Sequence, residues 1–394
     1  LEAGANKATL LIAATPYDEV NVLCCLIGKR LGTKKTISRV RMPEYYQQMH
    51  LIREDLGLSM VINPELSTAD EIMRVLVFPS AAKVEVFGKG KLELVEYRLP
   101  DFPWLENITL VELYKKIKTK FLICAVQRDE KVFIPSGDFA LQEGDRIHVA
   151  ASHRNIERFF RASGFMKDKV RTVMIVGGGR VGYYLSKQLL AVGMKVKLIE
   201  KDRERCEKLS DLLPKAIVIC GDGTDQELLE QEGLTQMDAF IALCDRDEEN
   251  LMTGLFAARQ GVPKVVVKNN RVAYADIISS MGLDSIVSPK SITCAHILRY
   301  VRARVNGGGT KIEKLYRLMD GKAEALEFVA RPNDSYIGVP LRELHKRPNP
   351  LVAVIVRAGR VIVPFGNDHI EAGDNVVIIA CESGIGDLNE VIRK

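Results

Sequence analysis

The chain has 394 residues, 47% of them hydrophobic and 27% charged, with a formal net charge of +5. That is the composition of a globular protein of two to four domains of roughly 100–200 residues each. Apolar runs such as Leu10–Ala14 and Val376–Cys381 are strand-sized and exclude a helical membrane span, and basic residues mixed among acidic ones exclude a nucleic-acid surface.

Residues 6–21, NKATLLIAATPYDEVN, read as an apolar strand, a small polar turn, an acidic stretch and an asparagine opening a helix. The same order returns at 235–250, TQMDAFIALCDRDEEN, at a constant offset of 229, so Asp18 answers Asp247 and Asn21 answers Asn250. The offset holds to Tyr45 and Tyr274, then slips by four, and Pro64 answers Pro289. Further on, KLELVEY (91–97) answers KAEALEF (322–328), and LVEL (110–113) answers LREL (341–344). VFIPSGDFALQEGDRIHVAA (132–151) answers VIVPFGNDHIEAGDNVVIIA (361–380). Self-similarity of this extent is a pair of modules written twice. Residue 1 faces about residue 230, whereas the second copy begins near Lys169, so the first copy lacks roughly 60 residues that would include a strand and a glycine loop. The expectation is an N-terminally truncated piece of a longer protein. Its domains are a partial first α/β domain over 1–80, a small domain over 81–165, a second α/β domain over 169–306 and a second small domain over 310–394.

The second copy alternates as a doubly wound parallel α/β domain does. Strands are expected at Val173–Val176, Val196–Glu200, Ala216–Cys220, Ala239–Cys244, Lys264–Lys268 and Ser285–Val287. Between them the helical periods fall at Val181–Val192, Arg203–Leu213, Glu248–Gln260 and Ala273–Met281, and a long helix follows near Ile292–Val305. TDQE (224–227) fits a capping box with Thr224 as the cap. The period then changes to two: EALEFVA, two strands around Ala358-Gly359 and DNVVIIA make a small α+β module. The eight cysteines show no CxxC spacing and lie mostly in apolar patterns, which reads as buried free thiols of a reducing compartment. The six histidines form no metal pair at helical spacing.

Gly177-x-Gly179-x-x-Gly182 lies between a strand and a helix, with Glu200 ending the next strand about twenty residues on, the pattern of a dinucleotide fold. Gly177 allows the tight turn, Gly179 the approach of a pyrophosphate, and Gly182 close packing of helix on strand. The amides of Gly178, Arg180 and Val181 open the helix toward a phosphate, and the Arg180 cation also suits a triphosphate. Glu200 would bond ribose hydroxyls and repel a 2′-phosphate, favouring NAD(H) or an adenine nucleotide over NADP. Asp222, beside Gly223 in GDGT, is an acceptor for an adenine amino group. Cys244 and Asp245 end the fourth strand at the carboxyl edge of the sheet, and Lys268 ends the fifth as a candidate phosphate contact. Their first-copy counterparts, Thr15 with Pro16 and Arg39, outline the far rim of a second pocket.

No histidine–carboxylate pair or activated lysine accompanies this site, so hydride transfer lacks its acid or base. The order of glycine-loop domain, long helix and small β-rich domain, doubled, resembles the TrkA-type regulators of potassium uptake, built from RCK (KTN) and TrkA-C domains. The resemblance rests on VGGGRVG, IEKD, CGDGTD, ALCDRDEEN and VVKNN in the second copy, and AATPYDEVN and ISRVR in the first. It implies a non-enzymatic, cytoplasmic subunit, a ring or tetramer on the inner face of the membrane, docked on a potassium-translocating membrane subunit. It also implies gating through NAD(H) or ATP/ADP. The family's site falls on Gly177–Val181, Glu200, Asp222-Gly223, Cys244-Asp245 and Lys268; Glu200 replaces the commoner aspartate, and Cys244 stands where a threonine or serine is usual. The alternatives are an NAD-dependent oxidoreductase and a nucleotide-binding scaffold without a transporter.

Overall fold

The structure, a computed structural model, describes residues 2, 4–53, 55–77, 83–99, 107–164, 169–271, 283, 285–305, 312–346, 350–381 and 384–393. The first copy opens with β1 (Leu10–Ala13), α1 (Asp18–Leu31), β2 (Lys35–Arg39), α2 (Pro43–Ile52), β3 (Met60–Ile62) and α3 (Pro64–Val77). Prolines open α2 and α3, where the missing N–H costs nothing. The three strands form a parallel sheet with β2 in the middle.

Next come β4 (Lys83–Phe87), β5 (Leu92–Arg98), α4 (Leu110–Lys116), β6 (Leu122–Arg128), β7 (Lys131–Phe133), β8 (Arg146–Ala151) and α5 (His153–Ser163). Thr109 and Glu112 close a reciprocal capping box at the start of α4. The antiparallel order is β4-β5-β8-β6-β7.

The second copy supplies β9 (Thr172–Val176), α6 (Arg180–Ala191), β10 (Lys195–Glu200), α7 (Arg203–Leu212), β11 (Ile217–Cys220) and α8 (Gln226–Gln231). It continues with β12 (Ala239–Ala242), α9 (Asp247–Arg259), β13 (Lys264–Lys268), β14 (Ser285–Val287) and α10 (Pro289–Val305). The helix expected at 273–281 lies outside the described residues. All six strands are parallel in the order β11-β10-β9-β12-β13-β14, and the direction of strand progression reverses at β9. That reversal opens a crevice at the carboxyl ends of β9 and its neighbours. Burial of β9, β12 and β13 explains their unbroken apolar runs.

The last stretch holds β15 (Ile312–Leu318), β16 (Ala323–Val329), β17 (His345–Lys346), β18 (Leu351–Arg357), β19 (Arg360–Ile362), β20 (Asn375–Ala380) and β21 (Ile392–Arg393). Its main sheet, β15-β16-β20-β18-β19, repeats the topology of β4 to β8, and β17 pairs with β21. Ala358 and Gly359 turn the β18–β19 hairpin with φ of 48° and 77°, the mirror-image turn whose twist matches the strands. The strand β15 was not among the sequence expectations.

The contacts divide the chain into two compact units. One comprises residues 1–73 and 171–293, the other residues 74–170 and 294–394, and the division falls within α3 and α10. The first unit therefore holds both parallel sheets. Inside it, Asn63 donates to the Tyr184 hydroxyl at 3.0 Å and Gln188 to Asp70 at 2.6 Å, fastening the first copy to α6. In the second unit each antiparallel sheet covers its own apolar core, built on Phe121 and Phe159 in one copy and Phe328 and Tyr336 in the other. The opposite faces of the two sheets share a third core that includes Phe87, Leu94, Ala325 and Val354. Among the described residues no helix is long and apolar enough to cross a membrane.

Candidate functional site

The glycine loop runs from the end of β9 into α6 at the point of strand reversal. Gly177 has φ +103°, and a Cβ there would lie 2.9 Å from the Leu243 carbonyl, so the turn has room only for glycine. Gly182 is tighter still, since its Cβ would stand 2.2 Å from the Gly177 oxygen. At Gly179 the opposite holds. It is the N-cap of α6 with no side-chain cap, and a Cβ there would meet no atom within 4 Å. The space in front of it is bordered by the amides of Arg180, Val181 and Gly182, which as the first turn of a helix have no intrahelical acceptor. The helix dipole adds a partial positive charge at this end. Arg180 is exposed and Val181 buried. Open space, orphan amides and positive potential fit a diphosphate.

The Glu200 carboxylate closes one side. One oxygen accepts from Gly178 N at 2.8 Å and the other from Asp202 N at 2.9 Å, which fixes the carboxylate against the loop and leaves each oxygen a further lone pair. Gly178 must be small here, because its Cβ would press on Glu200 and Leu209. At the next strand end Asp222 accepts from the Lys201 ammonium at 2.6 Å, from Thr224 N at 3.0 Å and from the Thr224 hydroxyl at 2.7 Å. These bonds, Lys201 foremost, lower its carboxyl to about 2. Lys201 was not foreseen as part of the site; the only signal was a cation directly after Glu200 in IEKD. The capping box expected at Thr224 is corrected: Asp225 caps α8, accepting from Glu227 N at 3.0 Å, because the Thr224 hydroxyl is already committed to Asp222. Gly223 packs on Val176, 2.1 Å from where its Cβ would be, and draws this loop onto the end of β9.

Across the crevice, Cys244 is half-buried, and burial raises its thiol to about 11. Asp245 is exposed. Lys268 is buried, and its ammonium donates to the Leu243 carbonyl at 3.1 Å and lies 3.7 Å from Asp245. A buried ammonium needs acceptors, and the strand end supplies them; a phosphate contact would require Lys268 to exchange that bond. Asn250 was read only as an alignment anchor, yet it organises this rim. Its amide group bonds Cys244 N at 2.6 Å, Cys244 O at 2.8 Å and Lys268 O at 3.1 Å.

The first copy reproduces the asparagine latch of the rim, while its cation takes the carbonyl one residue further on. Asn21 bonds Thr15 N at 2.6 Å, Thr15 O at 3.0 Å and Arg39 O at 3.0 Å, while the Arg39 guanidinium donates to Thr15 O at 2.7 Å. Thr15 and Arg39 are thus brought together, with Pro16 exposed beside them. They lie on their own three-stranded sheet, separate from the one carrying the glycine loop. The expectation that the cysteines are mostly buried is corrected at Cys24, Cys220 and Cys294, which are exposed because they lie on the outer faces or ends of their elements. Among the described residues no cluster of histidine, cysteine or carboxylate side chains is arranged to hold a metal.

A TrkA-N domain model matches residues 1–64 and 173–289, and a TrkA-C domain model matches 94–164 and 325–393. The class is therefore that of proteins with tandem, alternating TrkA-N and TrkA-C domains. The Trk system potassium uptake protein TrkA homolog of Archaeoglobus fulgidus is 32% identical over 393 residues, covering 100% of this chain and 87% of that protein. The chain belongs to this TrkA family of Trk potassium uptake systems. Its fold is shared with the RCK domain of GsuK (TM-score 0.56, 17% identity, 95% of this chain and 78% of that one). The GsuK channel solved bound to NAD is also similar (TM-score 0.58, 17% identity, 95% of this chain and 65% of that one).

Proposed function

We propose that the chain is a nucleotide-sensing regulatory subunit, homo-oligomeric and cytoplasmic, that gates a Trk-type potassium transporter from the inner face of the membrane and catalyses no reaction. The observation that carries this reading is the open cradle at Gly179, set at the strand reversal of a TrkA-family chain. In it the amides from Arg180 to Gly182 receive a diphosphate, while Gly178, its own amide held by Glu200, leaves that carboxylate to the ribose hydroxyls. Asp222 and Gly223 border the adenine, and Cys244, Asp245 and Lys268 form the opposite rim. NAD(H) and ATP/ADP share the diphosphate and adenosine that these groups address, and the fold neighbour solved with NAD supports NAD(H). The Cys244 thiol, raised to about 11, carries its proton at neutral pH, which supports a site that binds without reacting.

Gating then follows from differential affinity: nucleotide binds one arrangement of the regulator more tightly, and a coupling of about 1–3 kcal/mol changes transport roughly 5–150-fold. Potassium flux into proteoliposomes carrying the transporter and this chain tests it. Nucleotide should change the flux with wild-type chain, and Gly179→Asp should remove that response. A response of equal size with the variant contradicts the reading.

A further inference from the structure

Two cysteines lie beside the Glu200 backbone. Cys206, in the first turn of α7, is buried, and its thiol donates to the Glu200 carbonyl at 3.2 Å. Cys220 ends β11, is exposed, and lies opposite Glu200 in the β10–β11 register. The Glu200 carbonyl that takes the Cys206 thiol also accepts from the amide of Gly221, the residue after Cys220, at 2.9 Å, so both cysteines stand against one peptide group. Burial, followed by the neighbouring Cys220, pushes the Cys206 thiol up to about 12. Cys220 is the member that solvent reaches first.

We propose that Cys206 and Cys220 are an oxidant-sensitive dithiol, which a hydroperoxide closes to a disulfide and so weakens nucleotide binding at the adjoining site. The Cys220 thiolate attacks the peroxide, an S–O bond forms as the O–O bond breaks, sulfenic acid remains on Cys220, and the alkoxide (or hydroxide) leaves and takes a proton from water. Cys206 sulfur then attacks Cys220 sulfur; the S–O bond breaks, water departs with the thiol proton, and the S–S bond forms. The two electrons that reduce the peroxide come from the two thiols. The link to the site is short. Closure removes the S–H donor on the Glu200 carbonyl and pulls the first turn of α7 toward β11. The residue capping that turn, Asp202, holds Glu200 through its own amide. The disulfide stands independently of the function proposed above; only its effect on nucleotide rests on that reading.

The test treats the full chain with hydrogen peroxide, followed by differential alkylation and peptide mass spectrometry, with nucleotide affinity measured before and after. A Cys206–Cys220 linkage is expected, with Cys24 and Cys294, also exposed, still alkylatable. Affinity should fall about fivefold, the contribution of roughly one hydrogen bond, and recover with dithiothreitol. C220S should keep its affinity through the same treatment. Oxidation of Cys220 without linkage to Cys206 overturns the dithiol. Linkage with unchanged affinity, or an equal fall in C220S, overturns the coupling. A reduced chain that binds no nucleotide refutes the functional reading instead, while the linkage result still decides the dithiol.

Discussion

Gly179 and Gly182 are three residues apart and need glycine for different reasons. The 2.2 Å approach at Gly182 is to backbone, which has nowhere to go. Gly182→Ala should therefore lower stability by about 2–3 kcal/mol, as forced overpacking does, read as a fall in melting temperature. Gly179→Ala should leave the melting temperature unchanged, since its Cβ meets nothing, and weaken only phosphate binding. Asp222 offers a pH signature. Its carboxyl titrates at about 2 when folded, below the unfolded value of about 3.9. Its contribution to stability is therefore full above the unfolded value and is lost as pH falls through about 2. Carboxyl NMR titration should show this low midpoint, and Lys201→Met should move it up toward the ordinary aspartate value.

At the scale of elements, side-chain latches hold strand ends where the crevice needs them. Asn250→Ala would leave one amide and two carbonyls short of a partner, and should cost about 2–3 kcal/mol in urea denaturation; Asn21→Ala should cost a similar amount. In the small domains, Arg128 grips Asp145 with two hydrogen bonds and Arg357 grips Asp374, both carboxylates almost wholly buried. Arg357→Ala would strand a buried charge and should cost about 3 kcal/mol. Strands such as Lys264–Lys268 and the hairpin at Ala358-Gly359 were legible because apolar runs and turn residues act locally. Thr224 and Lys268 were not. A hydroxyl or ammonium takes whichever acceptor the fold brings nearest, and neither Asp222 nor the Leu243 carbonyl is marked as that acceptor by sequence spacing.

On the scale of the whole molecule, the duplication, the parallel α/β character of the second copy and the glycine loop could all be read from the sequence. The grouping of like with like could not. The shared core between the two antiparallel sheets is built from residues such as Leu92, Leu94, Ala323 and Ala325, whose alternation announces an apolar face but not the face it meets. The same holds for α6, whose Tyr184 and Gln188 bond the first copy. The account turns on the cradle at the head of that helix, and calorimetric titration of the chain with NADH, NAD, ATP and ADP tests it most directly. At least one should bind saturably, and Gly179→Asp should abolish that binding with no change in melting temperature. Absence of binding by all four, or equal affinity in the variant, would contradict it.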